Sequence, residues 1–295
     1  MSDTIIRGML CDRSIRFTAI CGTELVKEAQ KTHTLSRVAT AALGRQLLMT
    51  SMAASDLKNP TDSLTTVIAG NGPAGNLVCV GRYGGLVKGY ATNPEVELPL
   101  REDGKLDVGG YVGHQGKLTL IRDLGMREPY VGLCNLVSGE IAEDFAQYFT
   151  ASEQQPSLVY LGVREKADIG EVIGAGGILI QPMPGCPEEA IARIEKHAAG
   201  ITRLTELLSE SHSLQEALEM LLSDLQLERT EQLQPQYLCD CTRDRLERAL
   251  LSIGEAELQD ILEHEGEAEL TCQFCLKRYR FDRNDLETPL RAAKG

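Results

Sequence analysis

Four cysteines near the end of the printed chain limit what this part of it can fold into. Cys239 and Cys241 are separated by one residue, and Cys272 and Cys275 by two. In extended backbone, residues two apart point to the same side, and a C-x-x-C turn directs two sulfurs to one point. Zinc prefers four ligands in a tetrahedron and binds thiolates at about 2.3 Å. The spacing therefore predicts one zinc ion per chain, held by all four cysteines.

The segment that carries these cysteines, residues 236–295, is too short to build a large core. Apolar periodicity predicts two short helices between the cysteine pairs, and residues 267–271 and 277–281 are typical of short strands around Cys272 and Cys275. A domain of this size usually needs a metal or disulfides for stability. We therefore predict a zinc-ribbon-like hairpin within a small C-terminal zinc-binding domain.

Cysteine usage also predicts the cellular compartment. The chain has nine cysteines, an odd number, and its first ten residues contain no apolar run long enough for a secretory leader. Reducing compartments disfavour structural disulfides, and cysteine clusters there are more often metal ligands or redox centres. We expect a cytoplasmic protein.

The larger part of the chain, residues 1–182, combines strand-like runs with inserted helices. Residues 4–11 and 14–21 are typical of a hairpin, and glycine-rich turns separate several later β-like runs. Residues 35–57 and 140–150 have helical spacing of apolar residues. Because strands occur in runs and not in regular βαβ alternation, we predict an α+β domain of mixed sheets and helices.

Residues 183–235 form a charged, predominantly helical stretch after a proline-rich boundary. Pro187 suits a first helical position, and Ser213 with Glu216 forms a capping box. The apolar residues of this stretch recur with helical spacing, at Ile191, Ile194, Ile201, Leu204, Leu207, Leu208, Leu218, Leu221, Leu222 and Leu225. We predict a helical connector without strands.

Charge and composition disfavour several classes of partner. The formal net charge is −13, which repels phosphate backbones and anionic lipid, so we expect no nucleic-acid partner. No segment approaches the roughly 20 apolar residues that span a bilayer, so we expect no membrane association. The glycine-rich residues 70–75 lack the Lys-Ser/Thr ending of a phosphate loop, and no catalytic triad is visible. The sequence gives no reason to predict an enzyme.

The four-cysteine site permits two chemical roles. It can be a purely structural clip, since structural zinc sites contribute folding free energy directly. It can also be a redox switch, because thiolates react with peroxide and each close pair can form a disulfide within itself. Closing both pairs removes every ligand, and loss of zinc then unfolds a domain that depends on it.

Further motifs resemble a known family along nearly the whole chain. Besides the two cysteine pairs, these are residues 41–45 (AALGR), 72–75 (GPAG), 104–110 (GKLDVGG), 138–140 (SGE) and 176–185 (GGILIQPMPG). Together they resemble the thirty-three-kilodalton heat-shock protein family, the redox-regulated holdase chaperones of bacteria. The cysteine set is specific, and the glycine-rich motifs are supporting features.

The resemblance implies a mechanism for the redox role. The reduced, zinc-bound protein is expected to be inactive, and oxidative stress is expected to form a Cys272–Cys275 disulfide and then a Cys239–Cys241 disulfide. Zinc then leaves, the C-terminal domain and the connector lose structure, and the protein dimerises and binds unfolding clients without ATP. The apolar stripe of the connector either provides client-binding surface, masks it, or belongs to an ordinary linker.

Two other functions remain open from the residues alone. One is a structural zinc ribbon that acts as a binding module, and the other is a thiol–disulfide oxidoreductase that uses Cys272 and Cys275. The sequence gives neither the clients, their binding surface, the dimer interface nor the order of disulfide formation.

Five cysteines lie outside the family's cysteine motif and have no role that the sequence assigns. Cys11, Cys21, Cys79 and Cys134 are in strand-like segments and are predicted to be buried small hydrophobic residues. Cys186 precedes Pro187 at a predicted helix start and is either a spare thiol or a partner in side disulfides during oxidation.

Overall fold

The computed structural model describes residues 2–251 and 255–286, so parts of the predicted 236–295 domain lie outside the described residues. The chain divides into two compact units, Met1–Leu238 and Cys239–Gly295. Within the described ranges, no helix has both the length and the apolar character to cross a membrane.

The described part of the first unit is built from the following elements in chain order: β1 (Thr4–Leu10), β2 (Ile15–Cys21), α1 (Thr23–His33), α2 (Arg37–Ala54), β3 (Ser63–Gly70), β4 (Asn76–Arg82), β5 (Leu86–Ala91), α3 (Val108–Val112), β6 (Gly116–Asp123), β7 (Tyr130–Asn135), α4 (Ala142–Ser152), β8 (Leu158–Glu165), β9 (Val172–Pro182), α5 (Glu188–Ile201), α6 (Leu204–Ser209), α7 (Leu214–Leu222) and β10 (Glu228–Leu233).

The strands form two five-stranded antiparallel sheets. The first has the order β10-β1-β2-β9-β8, and the second has the order β5-β4-β3-β6-β7. In the β1–β2 hairpin Thr4 pairs with Cys21 and Leu10 with Ile15, which agrees with the predicted hairpin. The mixed sheets and inserted helices confirm the predicted α+β class.

Helix α2 packs between the two sheets. It contacts β3, β4 and β5 on one side and β8 and β9 on the other, so nearly all of its residues are buried. Small residues make this possible: a Cβ on Gly44 would lie only 2.9 Å from the side chains of Val26 and Val163. The Ser36 hydroxyl accepts a hydrogen bond from the Ala39 amide at 3.1 Å and caps the helix.

Helices α5 to α7 cover the face of the first sheet that points away from α2. Their apolar stripe and that sheet face form one buried cluster, made of Ile6, Leu10, Cys11, Ile15, Phe17, Ala19, Cys21, Ile178, Ile180, Ala190, Ile194, Ile201, Leu204, Leu207, Leu208, Leu214, Ala217, Leu218, Leu222 and Leu225. We call it the connector cluster. Burying one Leu or Ile side chain fully contributes about 1.5–3 kcal/mol, so this packing stabilises the first unit substantially.

One element of the predicted connector differs from expectation. Residues Glu228–Leu233 form β10, which pairs with β1 at the edge of the first sheet, although no strand was predicted there. The sequence of β10 is mostly polar, and all of its residues except Leu233 are exposed. An edge strand with two solvated faces has no alternation of apolar and polar residues, so hydrophobic periodicity does not detect it.

A buried carboxyl group in the first unit makes stability depend on pH. The Glu165 side chain, on β8, is only 2 % exposed, and Arg37 Nε donates to its Oε2 at 3.3 Å. Its Oε1 is buried without a hydrogen-bond partner among the described residues. Burial raises the pKa of Glu165 from 4.5 to about 7, against the opposing effect of Arg37.

We expect Glu165→Gln to remove this pH dependence. Between about pH 4.5 and 7, Glu165 is protonated in the folded protein, whereas it is ionised in the unfolded chain, where its pKa is 4.5. The stability of the wild type therefore falls as the pH rises through this range. The variant should therefore be more stable than the wild type at pH 8, by roughly 1–3 kcal/mol, and similar to it at pH 4. Urea unfolding at the two pH values measures this.

The matched control for this prediction is Glu171→Gln. Glu171 is an exposed residue that pairs with Lys166, so its replacement should change stability by less than about 0.5 kcal/mol at either pH. Parallel pH curves for the wild type and Glu165→Gln would show that the carboxyl is ionised in the folded protein.

The second unit contains α8 (Arg243–Leu251), α9 (Glu255–His264), β11 (Ala268–Thr271) and β12 (Arg278–Phe281). The two strands form an antiparallel hairpin in which Ala268 pairs with Phe281 and Leu270 with Tyr279. Its buried cluster consists of Leu250, Leu258, Leu262, Tyr279, Phe281 and Leu286 among the described residues. This small core agrees with the expectation of a domain that needs further stabilisation.

Candidate metal centre

The four predicted cysteines converge in the second unit. Their Sγ atoms all lie within 4.8 Å of one another. Cys239 Sγ is 3.7 Å from Cys272 Sγ, and Cys241 Sγ is 3.4 Å from Cys275 Sγ. None of the four forms a disulfide in this structure.

These distances fit a bound metal. In a tetrahedral thiolate site with metal–sulfur bonds of about 2.3 Å, neighbouring sulfurs are about 3.8 Å apart. A disulfide requires about 2.05 Å. The spacing of the four sulfurs is therefore that of one tetrahedral site, and four thiolates without a histidine or carboxylate are a donor set that Zn²⁺ favours.

The hairpin turn places Cys272 and Cys275. The Cys272 amide donates to the Lys277 carbonyl at 3.0 Å, and the Leu276 amide donates to the Cys272 carbonyl at 2.8 Å. Leu276 has a φ of 57°, which closes this turn in the left-handed region. Because β11 and β12 hold both ends of the turn, the two sulfurs are positioned by backbone.

The other pair lies just before α8. The Asp240 carboxylate between the two cysteines binds Arg245 Nη1 at 2.5 Å, and the Arg245 amide lies 3.3 Å from Thr242 Oγ1, which accepts its hydrogen bond. These contacts connect the C-x-C segment to the first turn of α8. The segment can therefore present both sulfurs to the hairpin.

Tyr279 is a site residue that sequence reasoning missed. Its hydroxyl lies 3.2 Å from both the sulfur and the carbonyl oxygen of Cys241. Burial raises the pKa of Cys241, but hydrogen bonds from Tyr279 and the neighbouring thiols outweigh this effect and lower it to about 7. The same hydrogen bond raises the pKa of Tyr279 to about 12. The alternation of Tyr279 and Phe281 on a short strand is the signal that marks it as inward-facing.

We expect Tyr279→Phe to weaken metal binding while preserving the fold. The ring that packs in the core remains, and only the hydroxyl next to Cys241 is lost. Removing an outer partner of a metal ligand typically lowers affinity about 10–100-fold. Competition with a chelating dye measures the change, and Tyr130→Phe, at an exposed tyrosine of β7, is the control. Equal affinities in all three proteins would exclude Tyr279 from the site.

Three arginines near the cysteines are paired with carboxylates. Arg243 binds Asp285 at 2.5 Å, and Arg278 lies 3.6 Å from Glu269. Arg245 pairs with Asp240, which is the acidic residue closest in sequence to the thiols. These arginines therefore offset carboxylate charge around the site and are not free counter-ions to the thiolates.

The remaining cysteines lie elsewhere. Cys11, Cys21, Cys79 and Cys134 are buried, as predicted from their strand-like segments, and Cys186 is half-buried. All five belong to the first unit, whereas the four-cysteine cluster belongs to the second.

Comparison with known proteins supports the arrangement. The family model described as "Hsp33 protein" matches residues 3–282. A 33 kDa chaperonin of Ruminiclostridium cellulolyticum is 43% identical over 287 residues, covering 97% of each chain. A 33 kDa chaperonin of Clostridioides difficile is 41% identical, covering 97% of this chain and 98% of its own.

A solved structure shares the fold. The crystal structure of the 33 kDa chaperonin (heat shock protein 33 homolog) of Thermotoga maritima matches with a TM-score of 0.87 and 36% identity. The match covers 100% of this chain and 99% of that one. With the α+β architecture and the four converging cysteines, these matches show that the chain belongs to the Hsp33 family.

Proposed function

We propose that this protein is a zinc-bound holdase chaperone that oxidation activates. Membership in a family whose relatives are named chaperonins supports a chaperone function. The observation that carries the redox part is the convergence of four cysteine sulfurs that form no disulfide, at distances typical of zinc coordination, in a unit with a small core. One cluster is thus both the stabilising element and the oxidant-sensitive element of that unit.

The reduced state depends on Cys239, Cys241, Cys272 and Cys275 as zinc ligands. When bound, zinc supplies four bonds that join the hairpin turn to the segment before α8. The chain contributes the turn that fixes Cys272 and Cys275, the Arg245–Asp240 contact, and the hydroxyl of Tyr279 beside Cys241. These groups hold the sulfurs in place, and the Tyr279 hydroxyl favours the thiolate form of Cys241, which is the form that binds metal.

Oxidation removes the ligands in pairs. A thiolate attacks a peroxide oxygen and becomes a sulfenic acid as the O–O bond breaks and water leaves. A second thiol attacks that sulfur and releases another water, so two thiols and one peroxide give one disulfide and two waters. We propose the pairs Cys272–Cys275 and then Cys239–Cys241, following the family resemblance.

Loss of the ligands has a structural consequence. Among the described residues of the second unit, what then remains is the small apolar cluster, and a core of this size does not suffice for stability. We propose that residues 236–295 and the connector 183–235 then lose structure and that the connector cluster opens. The exposed apolar surface binds unfolding clients in the bacterial cytoplasm, and oxidised chains dimerise, without ATP hydrolysis.

An aggregation assay tests this function. Reduced, zinc-loaded protein should leave the light scattering of a heat-unfolding client unchanged, and peroxide-treated protein should suppress it in buffer without ATP. Equal suppression by both forms would contradict redox control. If neither form suppresses aggregation, the chaperone function is wrong and the alternative, a structural zinc ribbon that acts as a binding module, is favoured.

Peptide mapping tests the disulfide pairs. Trypsin yields residues 230–243, which contain Cys239 and Cys241, and residues 249–277, which contain Cys272 and Cys275. Disulfides within each pair leave the two peptides separate, each lighter by two hydrogens. The short sulfur–sulfur contacts in the structure join Cys239 to Cys272 and Cys241 to Cys275, and disulfides at those positions would cross-link the peptides and overturn the proposed pairing.

A further inference from the structure

Two cysteines outside the metal centre lie on adjoining turns of the first unit. Cys11 follows β1 in the turn to β2, and Cys186 lies between β9 and α5. The Met183 amide donates to the Ser14 carbonyl at 2.9 Å, which joins the two turns directly. The Ser14 amide donates to the Cys11 carbonyl at 3.1 Å, and the Cys186 amide donates to the Met183 carbonyl at 3.0 Å. Each cysteine is thus three residues from the bond that connects the turns.

Both thiols also contact the same layer of side chains. Cys11 is 4 % exposed and belongs to the connector cluster, and the half-buried Cys186 packs against that cluster. Burial raises the pKa of Cys11, the Arg193 guanidinium on α5 lowers it, and the proximity of Cys186 in the turn before α5 raises it further. The two sulfurs therefore face one side of the first sheet and are within electrostatic reach of each other.

We propose that Cys11 and Cys186 are a third redox-active thiol pair, which closes to a disulfide under peroxide independently of the four-cysteine cluster. Cys186 is the more accessible thiol and attacks the peroxide, forming a sulfenic acid as the O–O bond breaks and water leaves. Cys11 then attacks the Cys186 sulfur, and a second water leaves. The buried Cys11 acts only in this second step, for which it needs no contact with peroxide.

The disulfide would tie the start of α5 to the β1–β2 turn. Helices α5 to α7 cover the first sheet through the connector cluster, so the link fixes one end of that cover. The existence of the pair does not depend on the proposed chaperone cycle. If that cycle opens the connector cluster, the link limits opening at the α5 end.

Peptide mapping of the full zinc-loaded protein tests the pair. After peroxide and blocking of free thiols, trypsin yields residues 8–13 and 167–193, each with a single cysteine, Cys11 or Cys186. We expect these peptides to be joined by a disulfide. A mixture of isotope-labelled and unlabelled protein distinguishes a link within one chain, which gives no mixed-isotope product, from a link between two copies.

Variants assign the chemical steps. Cys11→Ala should abolish the linked peptide and raise the yield of dimedone-trapped sulfenic acid at Cys186 at least about fivefold, because the resolving thiol is gone. Cys186→Ala, at the half-buried position, should leave Cys11 unoxidised. Cys134→Ala, at a buried cysteine of β7, is the control and should keep the link.

Two results would overturn the pair. One is free Cys11 and Cys186 at a peroxide dose that fully oxidises the four-cysteine cluster. The other is a disulfide that joins Cys186 of two copies while Cys11 remains free. The mapping of wild-type protein decides between these outcomes and the expected link even if Cys11→Ala does not fold.

Discussion

Replacing Cys272 with alanine should lower zinc affinity by more than about 100-fold and unfold the second unit in fully reduced protein. Changes to groups that only contact a ligand already cost about 10–100-fold, and this change removes a ligand. Cys272 is buried and lies 3.7 Å from Cys239 Sγ, and among the described residues only the other three cysteines belong to this cluster. Because the unit has a small core, loss of metal removes its main source of stability.

Two measurements check this prediction. Zinc content after dialysis against a weak chelator reports affinity, and limited proteolysis reports folding of residues 239–286. Under the proposed function, the variant should also suppress client aggregation without peroxide. Cys79→Ala is the matched control, because Cys79 is a fully buried cysteine of β4 that is remote in sequence from the cluster. Full zinc retention by Cys272→Ala would contradict the assignment of this residue as a ligand.

Replacing Phe281 with alanine should also weaken zinc binding and destabilise the second unit, although this change alters no thiol. Phe281 is 1 % exposed and is the largest fully buried side chain of the second unit's described core, and the Arg243 guanidinium lies 4.5 Å from its ring centroid. A buried Phe→Ala change costs about 3–5 kcal/mol. Small domains rarely obtain more than about 3–5 kcal/mol from their core, so this loss should offset most of it.

The expected result is that zinc is released at a lower peroxide dose. Folding and metal binding are coupled, so Phe281→Ala should bind zinc more weakly and release it at several-fold lower peroxide than the wild type. Phe281→Leu keeps most of the apolar volume, so it should release zinc at a peroxide dose between those of the wild type and Phe281→Ala. Circular dichroism and a zinc-sensitive dye report both events. Identical peroxide curves for the wild type and Phe281→Ala would show that the core does not contribute to metal retention.

The sequence predicts the second unit well because its main constraint is local. The pair spacings of Cys239, Cys241, Cys272 and Cys275 determine where the chain must return. The predicted helices lie between the two pairs, and the strands of the predicted hairpin flank Cys272 and Cys275. Tyr279 could not be assigned in this way. Its hydroxyl reaches Cys241 across 38 positions of sequence, and only folding of the hairpin against the C-x-C segment brings them together.

The first unit shows the same division between local and long-range information. Helix α2 was predicted from apolar spacing, but its burial between two sheets depends on strands distant in sequence. Strand β10 was missed because an exposed edge strand carries no apolar alternation. The adjoining turns of Cys11 and Cys186 are likewise joined only through the Met183–Ser14 hydrogen bond. Local periodicity therefore predicted individual elements, but it did not predict how strands distant in sequence pair.

In the proposed function, the four-cysteine cluster both holds the zinc and senses the oxidant. The most direct measurement follows zinc release with a colorimetric chelator and client light scattering in the same sample, while reduced protein is treated with peroxide under mild heat. We predict release of one zinc per chain in step with the onset of suppression, and reversal of suppression by a dithiol with added zinc. Zinc that stays bound in strong oxidant, or zinc that is released while clients still aggregate, would contradict the account.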